Sequence, residues 1–372
     1  MSIIFYASCI LLSLYVLLLL SYLVGWLMIK TYRSDGHIES GSFTIIIPAR
    51  NEEHTIIPCL QSIIQQKGFN GFVEIIVIND HSSDQTENIV KNWISTHHHY
   101  HVSLINLSEL TVPIKLKKAA ITHAIDLAKG EHIILTDADC TRNEYWLNAI
   151  ASYIRTHQKK FIYAPVEFNA KNLFERLQSL EFAGLVGIGG AAIQLRNPNM
   201  CSAANLVFKR EVFFEVNGYT GNDNLASGDD EFLLHKVFKK YPNDVSFLKC
   251  NEAIVYTSPN ASIKQLADQR KRWVSKSTSY ENRYITAIMV GAYLFNASIV
   301  LMLVLQPITG LGLLLIKMAI EGLFLFHILY FTKRTSYIWL LPIAELFHIP
   351  YVLFIGLWAQ VGTYQWKGRK LY

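Results

Sequence analysis

Residues 133–140, Ile133-Ile134-Leu135-Thr136-Asp137-Ala138-Asp139-Cys140, begin as an apolar strand and end in two carboxylates one residue apart. A buried strand does not carry charge at its end without a partner. The preceding sequence supplies the setting. SFTIIIPAR (42–50), FVEIIVIND (72–80) and VSLINLS (102–108) read as further buried strands. Between them, EEHTIIPCLQSIIQQ (52–66) has helical spacing, with Ile56, Leu60, Ile63 and Ile64 on one face. DQTENIVKNWISTH (84–97) and KLKKAAITHAIDLAKG (115–130) also read as helices, the second closed by Gly130 at the position after its cap. Alternating strands and helices give an α/β fold, a mostly parallel sheet with helices on both faces. Ligands of such sheets bind beyond the carboxyl ends of the strands.

Three polar clusters fall at those ends: Pro48 to Glu52, Asn79 and Asp80 with the loop HSSDQT (81–86), and the pair Asp137 and Asp139. Each alone has an ordinary account as a turn or a helix cap, and Asp84 before QTENIV reads as a cap. Three on one edge point to a site. Two carboxylates on a strand-end turn suit one hard divalent cation, Mg2+ or Mn2+, with positions left for substrate phosphates. Such a cation stabilises a departing diphosphate. No G-x-x-x-x-G-K-S/T loop occurs in the sequence, and VGIGGAA (186–192) reads as a closely packing helix or turn. A nucleoside diphosphate is therefore the expected leaving group, ahead of ATP chemistry.

Composition adds a membrane. The chain has 372 residues, 51% of them hydrophobic. Ile3 to Ile29 carries no charge and is followed by Lys30 and Arg33. That run exceeds a signal-peptide core and matches a retained helix with its C-terminal end in the cytoplasm. Ile285 to Ile316 is also uncharged, and QPITGLG (306–312) reads as the turn to a second span ending near Phe331. That span carries Lys317 and Glu321, four apart on one face. Lys333 and Arg334 follow. The last apolar block, Ile338 to Val361, contains Pro342, Glu345, His348 and Pro350. It reads as broken or re-entrant, returning the tail WKGRKLY (366–372), with Trp366 and Arg369, to the cytoplasmic face. The expected organisation is a transmembrane helix over 1–33, a cytoplasmic domain over 34–258, an interfacial helix over 259–283 and a transmembrane region over 284–372. A bacterial inner membrane fits this layout. The net charge of +5 suits lipid headgroups, and no nucleic-acid motif is present. HHHYH (97–101) reads as a solvated loop, and the five cysteines, without C-x-x-C spacing, read as reduced thiols.

In order and spacing these motifs resemble membrane-bound glycosyltransferase family 2, with the GT-A fold and the Q-x-x-R-W signature, similar to lipid glucosyltransferases and polysaccharide synthases. IIIPARNEE (45–53), EIIVINDHSSDQT (74–86), LKKAAITHAIDLAKGEHIILTDADC (116–140), SGDDEFLLHK (227–236) and QRKRW (269–273) carry the likeness. The resemblance implies donor contacts at Pro48, Arg50, Glu52, Asp80, Lys117, Asp137, Gln269 and Arg272, and a metal at Asp137 and Asp139. It implies a general base at Asp230 and acceptor contacts at Asn205, Asp229 and Trp273. Leu116 and Ala203 stand where the family has glycine. Acids in a first helical turn also suit the macrodipole, which is the ordinary account of Asp229, Asp230 and Glu231. Arg270, Lys271 and Lys276 read as a plain juxtamembrane anchor. The implied reaction is inverting transfer from a nucleotide sugar, UDP ahead of GDP, to the hydroxyl of a lipid or glycan acceptor. Four hydrophobic blocks are few for a polymer channel, and WKGRKLY resembles the W-R-G-x-x-Y ending of lipid glucosyltransferases. A membrane lipid is therefore favoured over processive polysaccharide synthesis, and an inactive membrane scaffold ranks last.

Overall fold

A computed structural model describes residues 2–110, 117–221, 228–275, 282–358, 364–366 and 369–371. The chain opens with α1, Ser2–Met28, an uninterrupted apolar helix. Strand β1, Ser42–Ala49, leads to α2, Ile56–Ile64. This helix is shorter than its apolar spacing, and Pro58 lies in its first turn, where a missing N–H costs nothing. There follow β2 (Phe72–Asn79), α3 (Thr86–Thr96), β3 (His101–Asn106), α4 (Lys117–Leu127) and β4 (His132–Leu135). Next come β5 (Thr141–Arg142), α5 (Trp146–His157), β6 (Phe161–Tyr163), β7 (Val166–Phe168) and α6 (Leu173–Gln194). The chain continues with β8 (Leu206–Lys209), α7 (Arg210–Glu215), α8 (Asp229–Lys240), β9 (Val245–Phe247), β10 (Val255–Thr257) and α9 (Ile263–Ser275). Three apolar helices, α10 (Arg283–Leu305), α11 (Pro307–Phe331) and α12 (Leu341–Trp358), precede a hairpin of β11 (Tyr364–Trp366) and β12 (Arg369–Leu371).

The chain divides into two units. One comprises residues 29–169 and 192–258. Its seven-stranded sheet has the order β3-β2-β1-β4-β8-β6-β9. Pairings from β3 through β4 are parallel, β8 runs antiparallel to both neighbours, and β6 pairs β9 in parallel. This is the mostly parallel α/β sheet expected. Ile45, Ile46 and Ile47 of β1 are completely buried, as a continuous β-branched run covered on both faces requires. Since β2 and β4 flank β1 in parallel, Ala49, Asn79 and Leu135 end on one edge of the sheet. A second sheet, β5-β10-β7, lies within the same unit. Gly130 does not cap α4, which ends three residues earlier. Its N–H donates to Thr44 Oγ1 at 2.8 Å, and a Cβ there would fall 2.3 Å from the Thr44 nitrogen. Close approach to β1 is what requires glycine.

The other unit comprises residues 1–28, 170–191 and 259–372. Among the described residues, four helical segments are long and apolar enough to cross a membrane: Ser2–Met28, Arg283–Leu305, Pro307–Phe331 and Thr335–Trp358. Most of α6 belongs here too, although the sequence placed residues 34–258 in one domain. VGIGGAA is helical, and a Cβ on Gly187 would meet Ile328 Cδ1 at 2.1 Å, so its bare face admits α11. QPITGLG is less of a turn than expected: Gln306 alone separates the helices. Pro307 opens α11, and Gly310 inside it leaves room for the Leu303 backbone.

The final block is a 3-10 turn over Thr335–Leu340 continuing into α12, unbroken through Pro350, which corrects the expected break. Pro342 falls in the first turn, and a proline inside an apolar helix is tolerated where neighbours re-satisfy the backbone. Leu341 packs with Leu325 and Leu329 near the end of α11, while Lys271 of α9 lies over the Trp358 ring at 4.2 Å. Strand β11 runs beside α9. The side chains of Trp366 and Arg369 lie outside the described residues.

Lys317 is fully buried and pairs with Glu321 at 2.8 Å and Glu345 at 2.6 Å. The Tyr15 hydroxyl donates to Glu321. Three helices, α1, α11 and α12, are thus tied by one ammonium. Lys317→Met leaves two buried carboxylates without their cation and is expected to cost about 3–5 kcal/mol. Denaturant unfolding in detergent measures this, and wild-type stability would contradict it.

Candidate active site

The site is built on the sheet edge where β1, β2 and β4 end. After β1 the backbone turns through Asn51 at φ 53°, and after β2 through His81 at φ 53°. Arg50 Nη1 donates to the carbonyls of Asp80 (2.7 Å) and His81 (2.9 Å). Ser82 Oγ accepts from the Asn51 N–H, and Asn51 Oδ1 accepts from the Ser83 N–H. Asp84 Oδ1 accepts from the Thr86 N–H and its Oδ2 from the Glu53 N–H, but the N-cap position of α3 is Gln85, so Asp84 stands one residue ahead of the cap expected of it. Glu52 Oε2 accepts from Thr55 Oγ1 at 2.6 Å. Pro48 is the penultimate residue of β1, paired with Ile78. Asp80 is buried and its Oδ1 lies 3.0 Å from His81 Nδ1. The first two clusters are therefore one interlocked wall.

The third cluster follows β4. Ala138 and Cys140 point inward and are buried, and Asp137 and Asp139, alternating with them, remain half-exposed. Thr257 at the end of β10 donates its hydroxyl to Asp139 Oδ2 at 2.8 Å. Donor atoms of Asp137, Asp139 and Cys140 lie within 4.8 Å of one another. Burial, then the charges of Asp139 and Asp137, push the Cys140 thiol well up. The two carboxylates offer an oxygen set that would fit Mg2+ or Mn2+.

Lys117, the first residue of α4, joins this turn to α8. Its Nζ lies 3.6 Å from Asp137 Oδ1 and 3.0 Å from Asp229 Oδ2. Burial pulls its pKa down, but the Asp229 and Asp137 carboxylates outweigh that and hold it raised. Leu116 before it lies outside the described residues. Gly228, at φ 81°, starts α8, a conformation open to glycine. Asp229 is buried against Lys117, whereas Asp230 is half-exposed. The Asp230 carboxylate accepts from the backbone N–H groups of Ala203 (3.2 Å) and Glu231 (2.9 Å). The N-cap of α8 is Gly228, without a side-chain cap, and the two N–H groups fix the Asp230 carboxylate while leaving it half-exposed.

Asn205 departs from its expected role. It is completely buried, and its amide donates to the carbonyls of Pro165 and Ala253 and accepts from Trp146 Nε1. No part of it is left for an acceptor. It is a strut beneath the site. Gln269, Arg272 and Trp273 lie on α9 in the other unit, where Gln269 Oε1 accepts from Asn260 and Arg270, and Trp273 lies under the Arg270 guanidinium at 4.2 Å. Arg270 and Lys271, expected as surface anchors, are buried, and Arg270 pairs with Glu181 at 2.8 Å. A charged residue facing inward carries no mark in the sequence. The same holds for the buried Arg142, and Thr257 belongs to no motif. In HHHYH, His97 stacks on Trp93, and no metal cluster forms there among the described residues.

Residues 44–216 match the family model of Glycosyl transferase family 2. Over 334 residues the chain is 25% identical to a dolichyl N-acetyl-alpha-D-glucosaminyl phosphate 3-beta-D-2,3-diacetamido-2,3-dideoxy-beta-D-glucuronosyltransferase of Methanococcus voltae, covering 84% of this chain and 96% of that one. A segment of 55 residues is 49% identical to a 4,4'-diaponeurosporenoate glycosyltransferase of Staphylococcus aureus, 15% of this chain and 14% of that one. Among solved structures, the mannosyltransferase PcManGT of Pyrobaculum calidifontis, crystallised with GDP-Man and Mn2+, superposes with a TM-score of 0.58. It shares 17% identity and covers 92% of this chain and 99% of its own. That likeness establishes the fold.

The strut role of Asn205 predicts a stability defect. Asn205→Ala orphans buried partners, each worth about 1–3 kcal/mol. Urea unfolding of the purified protein checks it, and an unchanged midpoint would return Asn205 to the acceptor side.

Proposed function

With residues 44–216 a family 2 glycosyltransferase domain, we propose that this enzyme moves one sugar from a nucleoside-diphosphate sugar to a hydroxyl of a membrane lipid, with inversion. The observation that carries the reading is Lys117, which draws the acid turn of β4 and the acids of α8 into one site. Asp137 and Asp139 would hold a divalent cation, which supplies charge neutralisation to the departing diphosphate. Mn2+ in the Pyrobaculum relative is in keeping with this. Lys117, beside Asp137, is placed to meet the diphosphate. The wall of Pro48, Arg50, Glu52 and Asp80 receives the nucleoside, uridine by the family resemblance. Gln269 and Arg272 are assigned to the diphosphate, and Trp273 to the acceptor, by their motif.

Asp230 acts as the base. Two backbone N–H groups hold it in place, its neighbour Asp229 is committed to Lys117, and it alone of the two is half-exposed. It takes the acceptor proton as the oxygen attacks the anomeric carbon opposite the diphosphate. The displacement is single, so no enzyme nucleophile is required.

A lipid acceptor is supported by the four long apolar helical segments among the described residues and by relatives whose names specify a dolichyl N-acetyl-glucosaminyl phosphate and 4,4'-diaponeurosporenoate. Lys30, Arg33, Lys333 and Arg334 suggest that the catalytic unit faces the cytoplasm. The seven residues between α9 and α10 reach about 25 Å at most, too little to cross a bilayer core. The tail is proposed to lie on the same side, and Lys271 of α9 over the Trp358 ring, at the end of α12, is in keeping with that.

Asp230→Asn is expected to lower nucleoside-diphosphate release about 10²–10⁴-fold with little change in donor affinity. Near-normal turnover would move the base elsewhere. Chelation should abolish release and Mn2+ or Mg2+ restore it; full activity in EDTA would remove the metal. A cysteine replacing Lys370 should resist a membrane-impermeant maleimide in intact cells, and labelling would place the tail outside.

A further inference from the structure

Arg142 occupies β5, two residues beyond the acid turn, and is only 8% exposed. Its Nη2 donates to the Cys140 carbonyl at 3.0 Å and to Thr136 Oγ1 at 3.3 Å, and lies 3.5 Å from Cys59 Sγ. The guanidinium carbon is 4.9 Å from the Trp146 ring centre. Its Nε and Nη1 are buried without a hydrogen-bond partner, and no carboxylate pairs with it among the described residues. A guanidinium out of water, with two nitrogens unserved and no ion pair, costs several kcal/mol unless its surroundings offset it. Stacking on Trp146 offsets some, but any long apolar side chain could fill that space. What the guanidinium alone does is bridge Thr136 and Cys140, the first and last residues of the segment carrying Asp137 and Asp139. Cys59, on the same nitrogen, also lies 3.6 Å from the Asp137 carbonyl.

We infer that Arg142 is the positioning residue of the acidic turn: it clasps both ends of Thr136–Cys140, fixes the two carboxylates side by side, and offsets their mutual repulsion from behind. The inference rests on the cation site proposed above. Two carboxylates at this spacing repel each other, and without a support they would splay apart when no cation is bound. A clasp that holds them ready means a cation binds without first ordering the turn. Arg142 touches neither sugar nor cation and acts only through the turn.

The test is Mn2+ binding, read by electron paramagnetic resonance of the free ion, on the purified full chain without donor. Arg142→Lys keeps the charge and loses the two-ended clasp. Arg142→Met keeps the stem and loses both. Groups supporting metal ligands typically carry about 10–100-fold in affinity, and each variant should weaken Mn2+ binding by about that factor. Thr136→Val, which removes one end of the clasp with little change in volume, should weaken it less. Thermal unfolding of the cation-free proteins runs in parallel. A purely structural arginine would lower the melting temperature and leave Mn2+ affinity as in wild type, and that result overturns the proposal. Asp139→Asn separates the two layers: it should abolish binding. If wild type binds no Mn2+, or Asp139→Asn binds it equally well, the cation site itself falls and the clasp with it. Normal binding in the Arg142 variants alone removes only the clasp.

Discussion

Two carboxylates one residue apart repel each other, and the catalytic unit is arranged around keeping Asp137 and Asp139 together. The β4 backbone carries them to the sheet edge, and alternation turns Ala138 and Cys140 inward so that both acids face out. Thr257 holds Asp139 from the second sheet, Lys117 holds Asp137 from α4, and Arg142 ties the turn from behind. The parallel pairing of β1 with β2 and β4 places the wall of Arg50, Glu52 and Asp80 on the same edge. Because Lys117 also grips Asp229, the start of α8 is brought to the turn, and Asp230 with it. One electrostatic problem thus accounts for why residues more than ninety positions apart in the chain meet.

The parts of this arrangement legible in the sequence are those that follow from short periodic patterns. The isoleucine runs of β1 and β2, the helical spacing of α2 and the D-x-D at a strand end each report a local rule, and each element appears where expected. Residues that act by facing inward were not legible. Arg142, Arg270 and Lys271 look in sequence like any surface cation, and only tertiary packing turns them into the buried groups they are. Asn205 failed for the opposite reason: a family motif marked it, but three buried hydrogen bonds consume its amide. Gly130 obeyed a glycine rule, though a different one, since approach to Thr44 and not helix capping excludes a side chain.

The membrane unit solves a related problem with the same means. Lys317, Glu321 and Glu345 would be costly facing lipid. Gathered on one ammonium with the Tyr15 hydroxyl, they are satisfied and join α1, α11 and α12. The pair Lys317 and Glu321 was legible from their four-residue spacing. Glu345 was not, because its partner is contributed by another helix. The continuity of α12 through Pro350 likewise depends on neighbours that a sequence window does not contain.

The central claim is that this site delivers a single sugar to a membrane lipid. Mass spectrometry of lipids extracted after incubating membranes with a panel of nucleotide sugars tests it most directly, with wild type and Asp230→Asn side by side. The account predicts a lipid heavier by one sugar residue, with one donor of the panel, formed only by the wild type. A ladder of added sugars, or nucleoside diphosphate released with no lipid gaining mass, would contradict it.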